Sequence, residues 1–219
     1  KLNVSGRFIG IVSSSGVQIG KFIIGENVKY IPTAIAYKAN IEELVLPDNI
    51  VAVGEDAFEY CTIEKALVIP ESVKTVYKSA FYRIHIPAIT LPEGLENAKE
   101  FAFSDMMADV LYYNCKNCVF EIHPDSTGIV GVHSSPFCSD DLKNIVIGEN
   151  VQTLPDFTFC YITSLETVHI PENIKALSKG AFAFSSVVTV TGMSGITKLE
   201  DYTFYECGRL TSLDIENSK

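Results

Sequence analysis

The chain repeats itself at steps of 22 to 23 residues, and nothing else about it limits the fold so strongly. IIGENV from Ile23 returns as VLPDNI from Val45, VIPESV from Val68, TLPEGL from Thr90, VIGENV from Val146 and HIPENI from His169. Each carries an apolar residue before Pro or Gly, then an acidic residue, then another apolar one. With Gly25, Pro47, Pro70, Pro92, Pro124, Gly148, Pro171, Met193 and Glu216 as equivalents, the steps are 22, 23, 22, 32, 24, 23, 22 and 23. A second anchor is aromatic: Tyr37, Phe58, Phe81, Phe103, Phe137, Phe159, Phe182 and Phe204, with steps of 21, 23, 22, 34, 22, 23 and 22. Both anchors contain one long step. It predicts an insertion at residues 104–120 inside a repeat, and a single domain over 1–219 with a partial repeat or cap at 1–18.

The apolar residues inside a unit alternate: Leu44-x-Leu46, Leu67-x-Ile69, Ile89-x-Leu91, Ile145-x-Ile147, Val168-x-Ile170, Leu213-x-Ile215. Period two is the signature of a strand with one buried face, and the Pro or Gly that follows marks the turn. Such a short unit cannot bury its apolar face alone, whereas a stack of identical units builds a continuous core. The expected architecture is a right-handed solenoid of about nine coils, with short strands and few helices. The recurring aromatics are then a buried spine.

Four units follow the pattern L-x-x-L-x-L-x-x-N with conservative changes: Ile19-Phe22-Ile24-Asn27, Ile41-Leu44-Leu46-Asn49, Leu142-Ile145-Ile147-Asn150 and Leu165-Val168-Ile170-Asn173. The longer motif IPxxVxxIxxxAFxxCxxLxxIxIP is clearest in residues 53–70 and 199–215. From about residue 19 to 219 the sequence resembles the BspA-type leucine-rich repeats of bacterial and some protist surface proteins. The resemblance implies a leucine-rich-repeat solenoid at the cell surface or outside the cell. It also implies adhesion to host or bacterial proteins, such as extracellular-matrix or bacterial surface proteins, without a cofactor. The insertion departs from the pattern, as do the repeats one residue short after Phe137 and Phe182.

Composition narrows the alternatives. An apolar fraction of 47% is too high for a disordered segment. A net charge of −10 disfavours binding to a phosphate backbone, so no nucleic-acid partner is expected. No uncharged apolar run approaches the ~18 residues of a membrane span. There is no GxSxG, HExxH or P-loop, and the four histidines fall in different repeats. No enzymatic activity is expected. The asparagines suit turn backbone that no ladder reaches.

Cys61 and Cys207 occupy the motif's cysteine position and read as unpaired. Cys138 and Cys160 follow the aromatics of adjacent repeats, where a bridge is sterically open but not required. Cys115 and Cys118 form a CxxC followed by His123 and His133. Two thiolates and two imidazoles suit tetrahedral zinc, the basis of a metal-dependent enzyme. The spacing fits neither a zinc finger nor a ribbon. Free thiols therefore rank first, a local disulfide second and zinc last.

The residues between the buried ones of each strand face outward. They are Ile23, Val45, Val68, Thr90, Glu121, Val146, His169, Thr189 and Asp214, flanked by Lys21, Glu43, Ala66, Ala88, Val119, Asn144, Thr167, Val187 and Ser212. At a strand spacing of ~4.8 Å this is a ribbon roughly 40 Å long, and its apolar members read equally as the β-branched residues that sheets favour and as a protein-docking stripe. The candidate contact residues are Ile23, Val45, Ala66, Val68, Ala88, Thr90, Val146 and His169. The competing reading is a structural stalk within a longer surface protein, or end strands that pair two copies end to end.

Overall fold

The computed structural model describes residues 16–122 and 135–213. Residues 1–15 of the expected cap, together with His123, Pro124, His133, Asp214 and Glu216, lie outside them. Alternating sequence becomes strand, and each strand pairs in parallel with its counterpart one turn along. Gln18–Ile23 pairs with Asn40–Val45, which pairs with Thr62–Ile63; His85–Leu91 pairs with Met107–Tyr113, which pairs with Asn144–Ile147. The same face continues through Thr167–His169, Thr189–Thr191 and Ser212–Leu213. A second, shorter row stacks Tyr30–Ile31, Ala52–Val53, Thr75–Val76, Asn97–Ala98 and Val119–Phe120, and resumes with Ala176–Leu177 and Lys198–Leu199. The result is a parallel β-solenoid of about eight turns, close to the nine coils expected. Helix among the described residues is confined to the 3-10 turn Met193–Gly195.

The core is written one side chain per turn. Phe22, Leu44, Leu67, Ile89, Leu111, Ile145, Val168 and Val190 follow one another along the inside of the strand face, all buried. Each gains roughly 1.5–3 kcal/mol by leaving water, but only because the next turn covers it. The phenylalanine spine is the second inward row. Phe58, Phe81, Phe103 and Phe137 stack with centroids 5.5, 5.5 and 5.6 Å apart, and Phe159, Phe182 and Phe204 continue it. Tyr37 is not its first member. The amide of Ala36 bonds to the Ala57 carbonyl as that of Phe58 bonds to the Ala80 carbonyl, so buried Ala36 holds the spine position. Tyr37 instead lies half-buried against the edge of Tyr60.

The third side of each turn is not a strand, yet it is laddered. Asp56, Phe58 and Tyr60 donate their amides to the carbonyls of Lys78, Ala80 and Tyr82 one turn on. Asp56 and Tyr60 have φ of 53° and 58°, as do Ser79 and Arg83 in the next turn at 53° and 52°. Left-handed backbone costs a side-chain-bearing residue of order 1–3 kcal/mol. Here the inter-turn hydrogen bonds hold it in place.

The insertion does not lie at residues 104–120. Met107–Tyr113 is a regular rung of the strand face, and Val119–Phe120 a regular rung of the second row, each 22 residues after its partner. Ala108, Leu111, Tyr113, Cys118 and Phe120 fill the inward positions. The extra residues fall between Phe120 and Phe137, since Phe137 already stacks on Phe103. The turn after Tyr113 is made by Asn114, whose Nδ2 donates to the Leu91 carbonyl at 3.1 Å. A count that follows turn prolines and glycines therefore passes over this turn and reaches Pro124. Asn49 and Asn173 satisfy the Glu26 and Val151 carbonyls in the same way.

Candidate functional site

The outward side chains of the strand face line up because the register is exact residue for residue along one turn. Ile23 pairs with Val45, Val68 with Thr90, and His169 with Thr191. Ile23, Val45, Ala88 and Thr90 are half-buried by their neighbours, while Ala66 and His169 are exposed. Val68 is 65% exposed and Val146 46%. Two members escaped the sequence reading. Tyr112 pairs with Thr90 on one side and Val146 on the other, and Val110 pairs with Ala88 and Asn144. Counting 22 residues on from Thr90 and Ala88 reaches both. The positions read as Glu121 and Val119 are therefore not on this face; Val119 belongs to the second row. Near the end of the chain the reading slips by two. Val187 is buried, Thr189 is in the flanking row between Thr167 and Ser212, and Thr191 takes the place beside His169.

The apolar stripe is thus Val68, Thr90, Tyr112 and Val146, backed by Ala88 and Val110. Tyr112 is 39% exposed. At the early end it is bordered by charge: Glu43 accepts from Lys21 at 2.5 Å and from Lys65 at 2.7 Å. These two ammonium groups hold the Glu43 carboxyl down at about 2. At the late end His169 Nδ1 lies 3.0 Å from Thr191 Oγ1.

Upstream of the stripe the same face opens into a cleft of about 510 Å³, lined by Glu64, His85, Pro87, Met107, Asp109, Asp141 and Lys143 among others. A smaller cavity of about 350 Å³ adjoins it, sharing Met107 and Asp141 and adding Asp140 and Arg83. Asp141 forms the lip between the two, and Asp140 lines the smaller one. Thr163 donates its hydroxyl to Asp140.

The cysteines are all free thiols. Cys61 and Cys207 donate to the Ala36 and Phe182 carbonyls at 2.8 and 3.0 Å. Burial pushes the Cys61, Cys138 and Cys160 thiols up to about 12, which leaves them poor nucleophiles. Cys115 and Cys118 are buried together under Tyr113, whose hydroxyl has no partner. Contact with Cys118, and then burial, raise the Cys115 thiol well above its ordinary range. Among the described residues no three His, Cys, Asp or Glu side chains are placed to share a metal ion. The two histidines that a zinc site here would need, His123 and His133, lie outside them.

Comparison with known proteins bears on the repeat rather than on the face. The family pattern described as BspA type Leucine rich repeat region matches six copies, over residues 29–123 and 130–219. A solved structure, a leucine rich cell surface protein from Faecalibacterium prausnitzii A2-165, is similar at 18% identity and a TM-score of 0.45. The match covers 88% of this chain and 59% of that one, so the chain spans less than two thirds of that protein's length. No curated protein matches the sequence. With the repeat matched along nearly all of its length and folded as a parallel solenoid, the chain belongs to the BspA-type leucine-rich repeat family.

Proposed function

We propose that the protein is a binding scaffold at the cell surface or outside the cell, and that it docks another protein on its strand face. The observation that carries this reading is the stripe Val68–Thr90–Tyr112–Val146, in which three exposed apolar side chains stand on four adjacent rungs with half-buried Thr90 among them. Sheets favour β-branched residues, but contiguous exposed apolar surface on a soluble protein is the usual mark of an interface. The register fixes the backbone that carries these side chains, so docking has only the side chains themselves to order. Host extracellular-matrix proteins and bacterial surface proteins are the partner classes this family suggests.

Val68→Lys combined with Val146→Lys tests it. Both side chains point away from the core, so the fold and melting temperature should stay unchanged. Adherence to immobilised extracellular-matrix proteins and to bacterial cells should drop at least about tenfold, the equivalent of about 1.4 kcal/mol. Undiminished adherence by a folded variant would remove the stripe as the site. The unbroken phenylalanine spine favours a second reading, a rigid spacer that holds other domains apart. A spacer tolerates the same two substitutions with no change in adherence of the whole protein.

A further inference from the structure

The cleft beside the stripe exists because the strands do not start level. Thr62, His85 and Met107 pair side by side at the upstream edge, but the next strand joins only at Val110, opposite Asn144. Met107 to Asp109 therefore have no strand on their far side. Residues 139–143 rise past them as a wall before Lys143 donates its amide to the Ala108 carbonyl at 3.1 Å. The wall is fastened from within: Ser139 Oγ donates to the Met106 carbonyl at 2.5 Å and accepts from the amides of Asp141 and Leu142, both at 3.0 Å. The notch is thus a fixed part of the fold.

Its chemistry is two-sided. Pro87 and Met107 give it an exposed apolar surface, Met107 being 37% exposed. Its charged lining is three carboxylates, Glu64, Asp109 and Asp141, against one ammonium, Lys143. Lys143 is bonded to Asp109 at 2.5 Å. Lys65, next to Glu64 in sequence, is turned to Glu43 at 2.7 Å. In the adjoining cavity Arg83 is engaged by Asp105 at 3.1 Å, and Asp140 extends the acidic lip. Negative charge in excess of its partners therefore surrounds an apolar floor, which is the complement of a long side chain with an aliphatic stem and a cationic head.

We propose that this cleft takes a lysine or arginine side chain from an extended segment of the docked protein. The stem lies on Met107 and Pro87, and the head lies between Glu64 and Asp141. This rests on the docking role given above to the same face and names the partner's chemistry at one place on it. Exposed ion pairs add little affinity. The stripe supplies the binding energy, and the cleft supplies selection: a cation is accepted, and an acidic segment in the same place is repelled.

The chain's three methionines make the test direct. Met107 lines the cleft, whereas Met106 and Met193 are fully buried, so a protein labelled with 13C-methyl methionine reports cleft and fold at once. The probe is a capped Gly-Leu-Arg-Leu-Gly peptide, compared with a twin carrying citrulline, which keeps the shape of arginine and removes its charge. The arginine peptide should shift the Met107 methyl signal in a saturable way, and the citrulline peptide should bind about threefold more weakly, the scale of an exposed ion pair. Glu64→Gln with Asp141→Asn should bring the arginine peptide down to the citrulline level, with the Met106 and Met193 signals unmoved. Equal response to both peptides, no saturable Met107 shift, or an arginine preference that survives the double variant would each overturn the proposal. Failure of the docking reading is distinct: Val68→Lys with Val146→Lys then leaves adherence intact, whatever the arginine peptide does.

Discussion

Glu59 shows how one side chain is conditioned by its place in a turn. It sits half-buried on the third side, and burial, then the nearby Asp56 carboxylate, push its carboxyl up to about 7, with Lys38 opposing the shift. The ordinary value is 4.5. The native state thus binds a proton that the unfolded chain has released in this window. The stabilisation is complete below about 4.5 and is lost as pH rises through about 7. Glu59→Gln should flatten the fall in melting temperature between those two values and stabilise the protein on the alkaline side. A melting curve series from pH 4 to pH 8 checks it, and an unchanged slope would show that Glu59 is not the titrating group. Nothing in the local sequence announces this: Asp56 and Glu59 resemble any acidic turn until the left-handed Asp56 and Tyr60 turn the segment inward.

The aromatic spine is the element on which sequence and structure agree most fully, because a side chain buried at a fixed place in each turn must be large and apolar every time. Phe103 is fully buried between Phe81 at 5.5 Å and Phe137 at 5.6 Å. Phe103→Ala should cost about 3–5 kcal/mol by denaturant unfolding. Phe204, only partly buried in the last turns described, should cost distinctly less when cut to alanine. Equal losses at the two positions would mean that the stack is not a graded core. The spine also shows why elements can be misnumbered. Ala36 fills the first position with a small residue and Tyr37 beside it supplies the aromatic, so chemistry and register point to different residues. Asn114 has the same effect at a turn, because an amide that bonds the Leu91 carbonyl replaces a proline that bends the chain.

In a solenoid each turn touches only its neighbours, so stability sums along the stack. Since Met107 pairs with His85 and Ala108 with Ile86, deleting residues 86–107 joins His85 to Ala108 in register. The shortened protein should fold cooperatively with a lower melting temperature. Deleting only residues 86–96, half a turn, should abolish the fold by turning inward residues out. Circular dichroism melts of the two deletions distinguish a modular array from one indivisible core, and comparable losses in both would contradict the modular picture. The same deletion of 86–107 removes part of the cleft and the rung of Thr90, so its loss of adherence would follow from the docking reading.

The sequence by itself determined the repeat, the inward rows and the family, because each is stated again in every turn and survives a local exception. It also placed Val45, Val68, Thr90 and Val146 on one face, since alternation decides which way a strand residue points. It did not place Tyr112 and Val110 there, because the turn at Asn114 lacks the residue by which turns were counted. Only the tertiary structure decided where the extra residues fall. Only it opened the cleft, which depends on strands starting at unequal heights and on a wall brought up from 34 residues away, as Ile145 is from Leu111. Periodicity records what every turn shares, and a binding site is built where one turn differs from the next.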